Sequence, residues 1–240
     1  MIVLFTDFGV TGPYLGQVHA VLARKAPGVP VVDLFNDLPP HAFRAAAYLL
    51  PAYAQSFPPE SVFLCIVDPG VGGSRRAVML RADDRWYVGP DNGLLQVLAR
   101  RAARTECYEI VWRPAALSAS FHGRDLFAPV AAMLARGQPP EGRPADLTPL
   151  SPAWPDDLAE ILYIDRFGNA ITGLRAAGLA RQARLRTGRG DLAYARTYAD
   201  VAPGLAFWYE NANGLVEIAA NLARASEILN IAVGDVVDVL

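Results

Sequence analysis

Apolar positions along the chain fall into two patterns. Short, nearly unbroken runs rich in β-branched residues at 2–5, 29–34 and 62–67 have the length of strands buried on both faces. Between them, residues 14–25 place Leu15, Val18, Val21 and Leu22 at helical spacing and stop at Pro27-Gly28. Residues 42–55 predict a second helix, in which Pro51 acts as a kink or break. Further strands are predicted at 77–81, 86–89 and 108–112, with a helix running from the turn Pro90-Asp91-Asn92-Gly93 through Arg101 and another over 125–135. Strands alternating with helices predict an α/β domain with a largely parallel sheet over residues 1–138.

The texture then changes. Pro139, Pro140, Pro144, Pro149, Pro152 and Pro155 crowd residues 139–157, which read as an extended linker. Beyond it only short strand-like runs remain, at 161–164, 192–198, 206–209, 215–219 and 235–239. These predict a smaller antiparallel β domain over 158–240.

Composition narrows the function classes. Of the 240 residues, 52% are hydrophobic and 19% charged, which excludes a disordered chain. A formal charge of −2 gives no steering toward nucleic acid or an anionic membrane, so neither is expected as a partner. The two cysteines, Cys65 and Cys107, lie far apart and form no CxxC or CxxH pair, so no disulfide scaffold or zinc site is expected. The opening segment carries no basic leader and no apolar stretch reaches membrane-spanning length, so a cytoplasmic location is expected.

Candidate chemistry concentrates in four segments that combine polar side chains with glycines at element ends. These are Thr6-Asp7-Phe8-Gly9, Asp68-Pro69-Gly70-Val71-Gly72-Gly73-Ser74-Arg75, Ser120-Phe121-His122-Gly123-Arg124-Asp125 and Asp165-Arg166-Phe167-Gly168-Asn169. Three follow apolar strands, and ligands of open α/β sheets lie beyond the carboxyl ends of such strands. Asp7 suits a ribose diol, or else N-caps the next helix; Asp125 reads as an N-cap. Of the three histidines, His19 and His41 read as helical, whereas His122 sits in a loop between Phe121 and Gly123. There is no Walker A segment, no nucleophile elbow and no full dinucleotide fingerprint, because Arg75 stands where the third glycine would fall. Chemistry built on Asp, Arg, His and water, without a metal or cofactor, is the expectation.

Taken together, TDFG, DPGVGGSRR, PDNG, FHGRD followed by LFAP, DRFGN and NGLVEIA resemble the S-adenosyl-L-methionine hydroxide adenosyltransferase family, related to the fluorinating and chlorinating S-adenosylmethionine enzymes. The resemblance spans nearly the whole chain in unchanged motif order. It implies an N-terminal α/β domain with a C-terminal β-barrel, a homotrimer with sites at subunit interfaces, and hydrolysis of S-adenosyl-L-methionine to adenosine and L-methionine. By motif, Asp68, Arg75 and His122 handle the water, Asp7 holds the ribose hydroxyls, Asp165 receives the methionine ammonium, Asn169 hydrogen-bonds the adenine and Tyr198 stacks on it. His122 is the expected proton acceptor, with Asp68 the alternative. The halogenases carry a tyrosine in place of Asp68 and, in the fluorinating branch, an insertion ahead of the PDNG-like turn, so water is expected over halide. Two departures from the family pattern are Gly12, where relatives carry an acidic residue, and Ala212, where a serine is common near the methionine carboxylate. A halogenase or a non-catalytic adenosine-binding protein are the other readings.

Overall fold

The computed structural model describes all 240 residues, which divide into two compact units, Met1–Ala153 and Trp154–Leu240. In the first unit the elements are β1 (Ile2–Thr6), α1 (Tyr14–Lys25), β2 (Val31–Phe35), α2 (Phe43–Ala54), β3 (Val62–Ile66), β4 (Ala77–Ala82), β5 (Arg85–Pro90), α3 (Gln96–Arg101), β6 (Thr105–Ile110), α4 (Ala128–Ala135) and β7 (Gly142–Pro144). They form a mixed α/β unit around one seven-stranded sheet of order β2-β1-β3-β5-β4-β6-β7. Strands β2, β1, β3 and β5 run parallel, while β4 is antiparallel to both β5 and β6.

Burial explains the order. Every residue of β1 and β3 is buried, as continuous apolar runs require at the centre of a sheet covered on both faces. On one face Ile2, Leu4, Leu64 and Ile66 share a core with Val18 and Leu22 of α1 and Val130 and Ala131 of α4. On the other, Phe5 packs edge-on to Phe35, which meets Tyr53 of α2, and Phe63 stacks on Tyr87. Each such fully buried side chain contributes about 1.5–3 kcal/mol.

Several expectations need correction. Pro51 neither breaks nor ends α2, which runs on to Ala54. The strand expected at 108–112 lies instead at Thr105–Ile110, where it pairs with β4. Within the proline-rich stretch, Gly142–Pro144 adds a strand to the sheet by pairing with β6.

Both sheets of the second unit are antiparallel. It contains β8 (Leu158–Ile164), β9 (Ala170–Arg175), β10 (Leu185–Thr187), β11 (Gly190–Leu192), β12 (Ala206–Glu210), β13 (Leu215–Ala220), the short α5 (Ala225–Ile228) and β14 (Asp238–Val239). One sheet has the order β12-β13-β9-β8 and a second β11-β10-β14. Fully buried Trp208 anchors the core, and its indole N–H donates to the Ala183 carbonyl (3.0 Å). The strand expected over 192–198 ends at Leu192, and Tyr198 instead opens a 3₁₀ turn, Tyr198–Asp200. No helix in either unit is long and apolar enough to cross a membrane.

Candidate functional site

In the first unit, Thr6 pairs with Ile66, so Asp7 and Asp68 leave adjacent strands at the same edge of the sheet. Asp7 caps no helix: α1 starts at Tyr14 with no side-chain cap, and Asp7 Oδ2 instead accepts the His41 backbone N–H (2.9 Å). Burial pushes the Asp7 carboxyl above the ordinary carboxylate range, and the charge of Asp68 acts in the same direction.

Beyond β3 the chain turns sharply, with the Gly73 N–H donating to the Gly70 carbonyl (3.0 Å). Gly72 has φ +78°, and a Cβ there would run into the carbonyl oxygen of Ala119. Only glycine meets both demands, and the result is that this turn closes against the segment leading to His122.

Arg75 links the two. Its Nε donates to Asp68 Oδ1 (3.0 Å) and Oδ2 (3.1 Å), and its Nη2 divides its hydrogens between Asp68 Oδ2 and His122 Nδ1 (3.0 Å). Both ion-pair partners are nearly buried, with side chains 11% and 5% exposed, and the guanidinium lies 5.3 Å from the centre of the Phe127 ring. A guanidinium only donates, so Nδ1 of His122 is an acceptor and the neutral ring carries its proton on Nε2. Burial first, then the charge of Arg75, hold the histidine below its usual value near 6.5.

His122 is followed by a single π-helical turn, Gly123–Phe127, that runs into α4. Such turns are frequent at functional sites, and this one fills the place where Asp125 was expected to N-cap the helix. Asp125 instead pairs with Arg124 (2.6 Å) and accepts the Ser118 N–H (2.9 Å), holding the loop that precedes His122.

Asp7, Asp68 and His122 line a cavity of about 120 Å³ together with Phe8, His41, Ile66, Val71, Ser120, Phe121 and Gly123. His41 escaped the sequence reading as a site residue. It is not helical but sits at φ +64° just ahead of α2, and only the pairing of β1 beside that turn brings it to Asp7. His19, by contrast, does lie in α1, where it pairs with Asp33 (2.9 Å).

The remaining predicted residues belong to the second unit. Asp165 begins the turn between β8 and β9, its Oδ1 accepting the N–H groups of Phe167 (2.8 Å) and Asn169 (2.9 Å) and its Oδ2 the side-chain amide of Asn169 (3.0 Å). Three of its roughly four acceptor sites are thereby used within the turn. Asn169 and Tyr198 line a cavity of about 640 Å³ with Arg166, Phe167, Asn221 and Leu222, a size suited to a drug-sized or nucleoside ligand. Its rim carries two large exposed apolar side chains, Phe167 (74%) and Leu222 (87%).

Behind Tyr198 lies a buried polar chain. The Tyr198 and Tyr209 hydroxyls lie 3.3 Å apart, Tyr209 donates to Glu217 Oε1 (2.6 Å), and Asn211 donates to Glu217 Oε2 (3.0 Å). Burial raises the pKa values of Glu217 and Tyr198. No group of three or more His, Cys, Asp or Glu side chains has the arrangement to hold a metal ion.

The chain matches two family models in tandem: the SAM hydroxide adenosyltransferase N-terminal domain over residues 2–143 and the corresponding C-terminal domain over residues 159–238. It is 41% identical to the (R)-S-adenosyl-L-methionine hydrolase of Thermus thermophilus, covering 95% of each chain. Identity to the protein of the same name from Salinispora arenicola is 40%, covering 96% of this chain and 94% of that one. A fluorinase of an Actinoplanes species is more distant, at 26% identity over 98% of this chain and 95% of its own. Among solved structures, an uncharacterized conserved protein from Thermotoga maritima superposes with a TM-score of 0.89 at 33% identity, covering 100% of this chain and 99% of that one.

Proposed function

Because this chain belongs to the SAM hydroxide adenosyltransferase family, we propose that it hydrolyses S-adenosyl-L-methionine to adenosine and L-methionine, with water attacking the ribose 5′-carbon. The observation that carries the reading is the Asp68–Arg75–His122 arrangement on a small cavity shared with Asp7.

The chemistry follows from the groups. The sulfonium leaves as a neutral thioether and needs no general acid. The demand is on water, whose proton must be taken as the C–O bond forms. A positioned base supplies about 10²–10⁴-fold, roughly 3–5 kcal/mol of barrier. Nδ1 of His122 is engaged by Arg75 and Nε2 carries the proton, so the ring as arranged donates to the water. Asp68, which lines the cavity and keeps acceptor capacity beyond its Arg75 bonds, takes the proton. For His122 to serve as acceptor its bond to Arg75 would first have to break. Alignment in the cavity, and the cancelling charges of an incipient anion meeting a cation, lower the rest of the barrier.

Asp7 holds the ribose hydroxyls, Asp165 receives the methionine ammonium through its remaining acceptor capacity, Asn169 hydrogen-bonds the adenine and Tyr198 stacks on it. No metal or cofactor takes part. The catalytic domain extends from residues 1–138 through the added strand Gly142–Pro144, and the connection to residues 158–240, a β-barrel domain, follows it. The protein acts in the cytoplasm as a homotrimer whose sites lie at subunit interfaces. The exposed Phe167 and Leu222 supply the kind of apolar rim such an interface covers.

Hydrolysis is preferred over halogenation because the Asp68 carboxylate faces the nucleophile's cavity and repels a halide. The test is one chromatographic assay: incubation with S-adenosyl-L-methionine releases adenosine and methionine in equal amounts. Binding without product would support a sensor instead. Appearance of 5′-chloro-5′-deoxyadenosine in chloride would support a halogenase.

A further inference from the structure

Strands β3 and β4 are consecutive in the chain but not neighbours in the sheet, because β5 lies between them. The segment bearing Asp68 and Arg75 therefore has to cross the end of β5. Since β5 runs parallel to β3, the end it crosses is the one from which Asp91 and Asn92 emerge.

Both residues bind the crossing segment, one at each foot. Asn92 Nδ2 donates to the carbonyl of Val67, the residue before Asp68 (2.9 Å), while its Oδ1 accepts the Leu94 N–H (3.2 Å) that shapes its own turn. The Asp91 carboxylate, almost wholly buried, accepts from Arg76, the residue after Arg75, at Nε (3.0 Å) and Nη2 (2.5 Å). The Asp91 backbone N–H donates to the Arg76 carbonyl (3.0 Å). Thr148 holds the same carboxylate through its N–H (3.1 Å) and its hydroxyl (2.7 Å), and that hydroxyl also accepts from Arg76 Nη2 (3.1 Å). The consecutive arginines thus do different work: Arg75 meets Asp68 and His122, and Arg76 ties the far foot to Asp91.

We propose that Asn92 and Asp91 are positioning residues for the hydrolytic reaction, forming a two-point clamp that sets the separation and aim of Asp68 and Arg75. Neither touches the cavity, so their effect is on chemistry and not on substrate affinity. This rests on the hydrolase reading above. A catalytic pair must be held close to its productive geometry, and a displacement on the order of 1 Å costs about 10²-fold.

Asn92→Asp isolates the first tie, because it keeps the acceptor for the Leu94 N–H and loses the donor to Val67. Its kcat should fall about 10- to 100-fold with KM for S-adenosyl-L-methionine within roughly twofold of the unaltered protein. Asp91→Asn keeps an acceptor for Thr148 and loses the charge opposite Arg76, and should show the same split with a smaller fall in kcat. It also serves as the test should Asn92→Asp not fold. Melting curves identify the folded variants. Unchanged kcat in a folded variant, or a loss confined to KM, overturns the clamp. Absence of adenosine release by the unaltered protein would instead overturn the hydrolase reading.

Discussion

Arg75 donates to Nδ1 of His122 at 3.0 Å while holding Asp68 through two of its nitrogens, so one guanidinium fixes both the tautomer of the histidine and the orientation of the carboxylate. In this arrangement the histidine is a donor toward the cavity and the aspartate the acceptor. Asp68→Asn is therefore expected to lower the rate of adenosine release about 10²- to 10⁴-fold, and His122→Ala to lower it less. A larger loss in His122→Ala than in Asp68→Asn would return the base to the histidine.

The lowered pKa of His122 predicts an acid limb in the rate profile below pH 6.5. Protonating Nδ1 turns this acceptor into a donor facing the Arg75 guanidinium, itself only a donor, and breaks the bond that aims the ring. The sign for stability follows: between the depressed folded value and the unfolded one, the unfolded chain binds more protons, so His122 makes stability fall as pH is lowered from 6.5. His122→Gln should remove both effects, measured as kcat/KM and as the melting temperature against pH.

Asp7 has the opposite linkage. Its folded pKa is raised above 3.8, so its contribution favours the fold below that pH and is lost as pH rises through the folded value. At pH 7 the ionised group costs stability. Asp7→Asn should accordingly melt higher at neutral pH, with the gain vanishing in acid, while KM for S-adenosyl-L-methionine rises.

Gly72→Ala combines a left-handed backbone, costing about 1–2 kcal/mol, with a collision at the Ala119 carbonyl. Urea titration should show a loss of at least that size. Activity should fall with it, because the two segments that carry Asp68 and His122 are forced apart.

Tyr198→Ala is expected to act on binding alone. Loss of a base-stacking aromatic costs about 1–3 kcal/mol, or roughly 5- to 150-fold in KM, at near-constant kcat. Glu217→Gln should reproduce a weaker form of this, since Glu217 orders Tyr209 and Tyr209 meets the Tyr198 hydroxyl.

Much of the architecture was legible because it is local. The runs that became β1 and β3 are short, rich in β-branched residues and apolar at every position, as strands covered on both faces require, and a carboxylate just beyond such a run emerges at the sheet's ligand-binding edge. Gly72 and Gly168, both at positive φ, announce their backbone geometry in the same way, whereas Gly70 and Gly73 do not take positive φ. Other features were decided elsewhere in the molecule. Asp125 resembled a helix cap in sequence, yet a π turn and its contacts with Arg124 and Ser118 gave it another place. Tyr198 lay in a strand-like run that stops at Leu192, and His41 looked helical until the turn before α2 set it beside Asp7. Arg75 and His122 are separated by 47 positions, and what joins them is the closure of a glycine turn on a distant loop. Periodicity and turn chemistry are properties of neighbouring residues and can be read along the chain. Which partner a side chain meets depends on strand order and close packing, and these exist only once the sheet has formed.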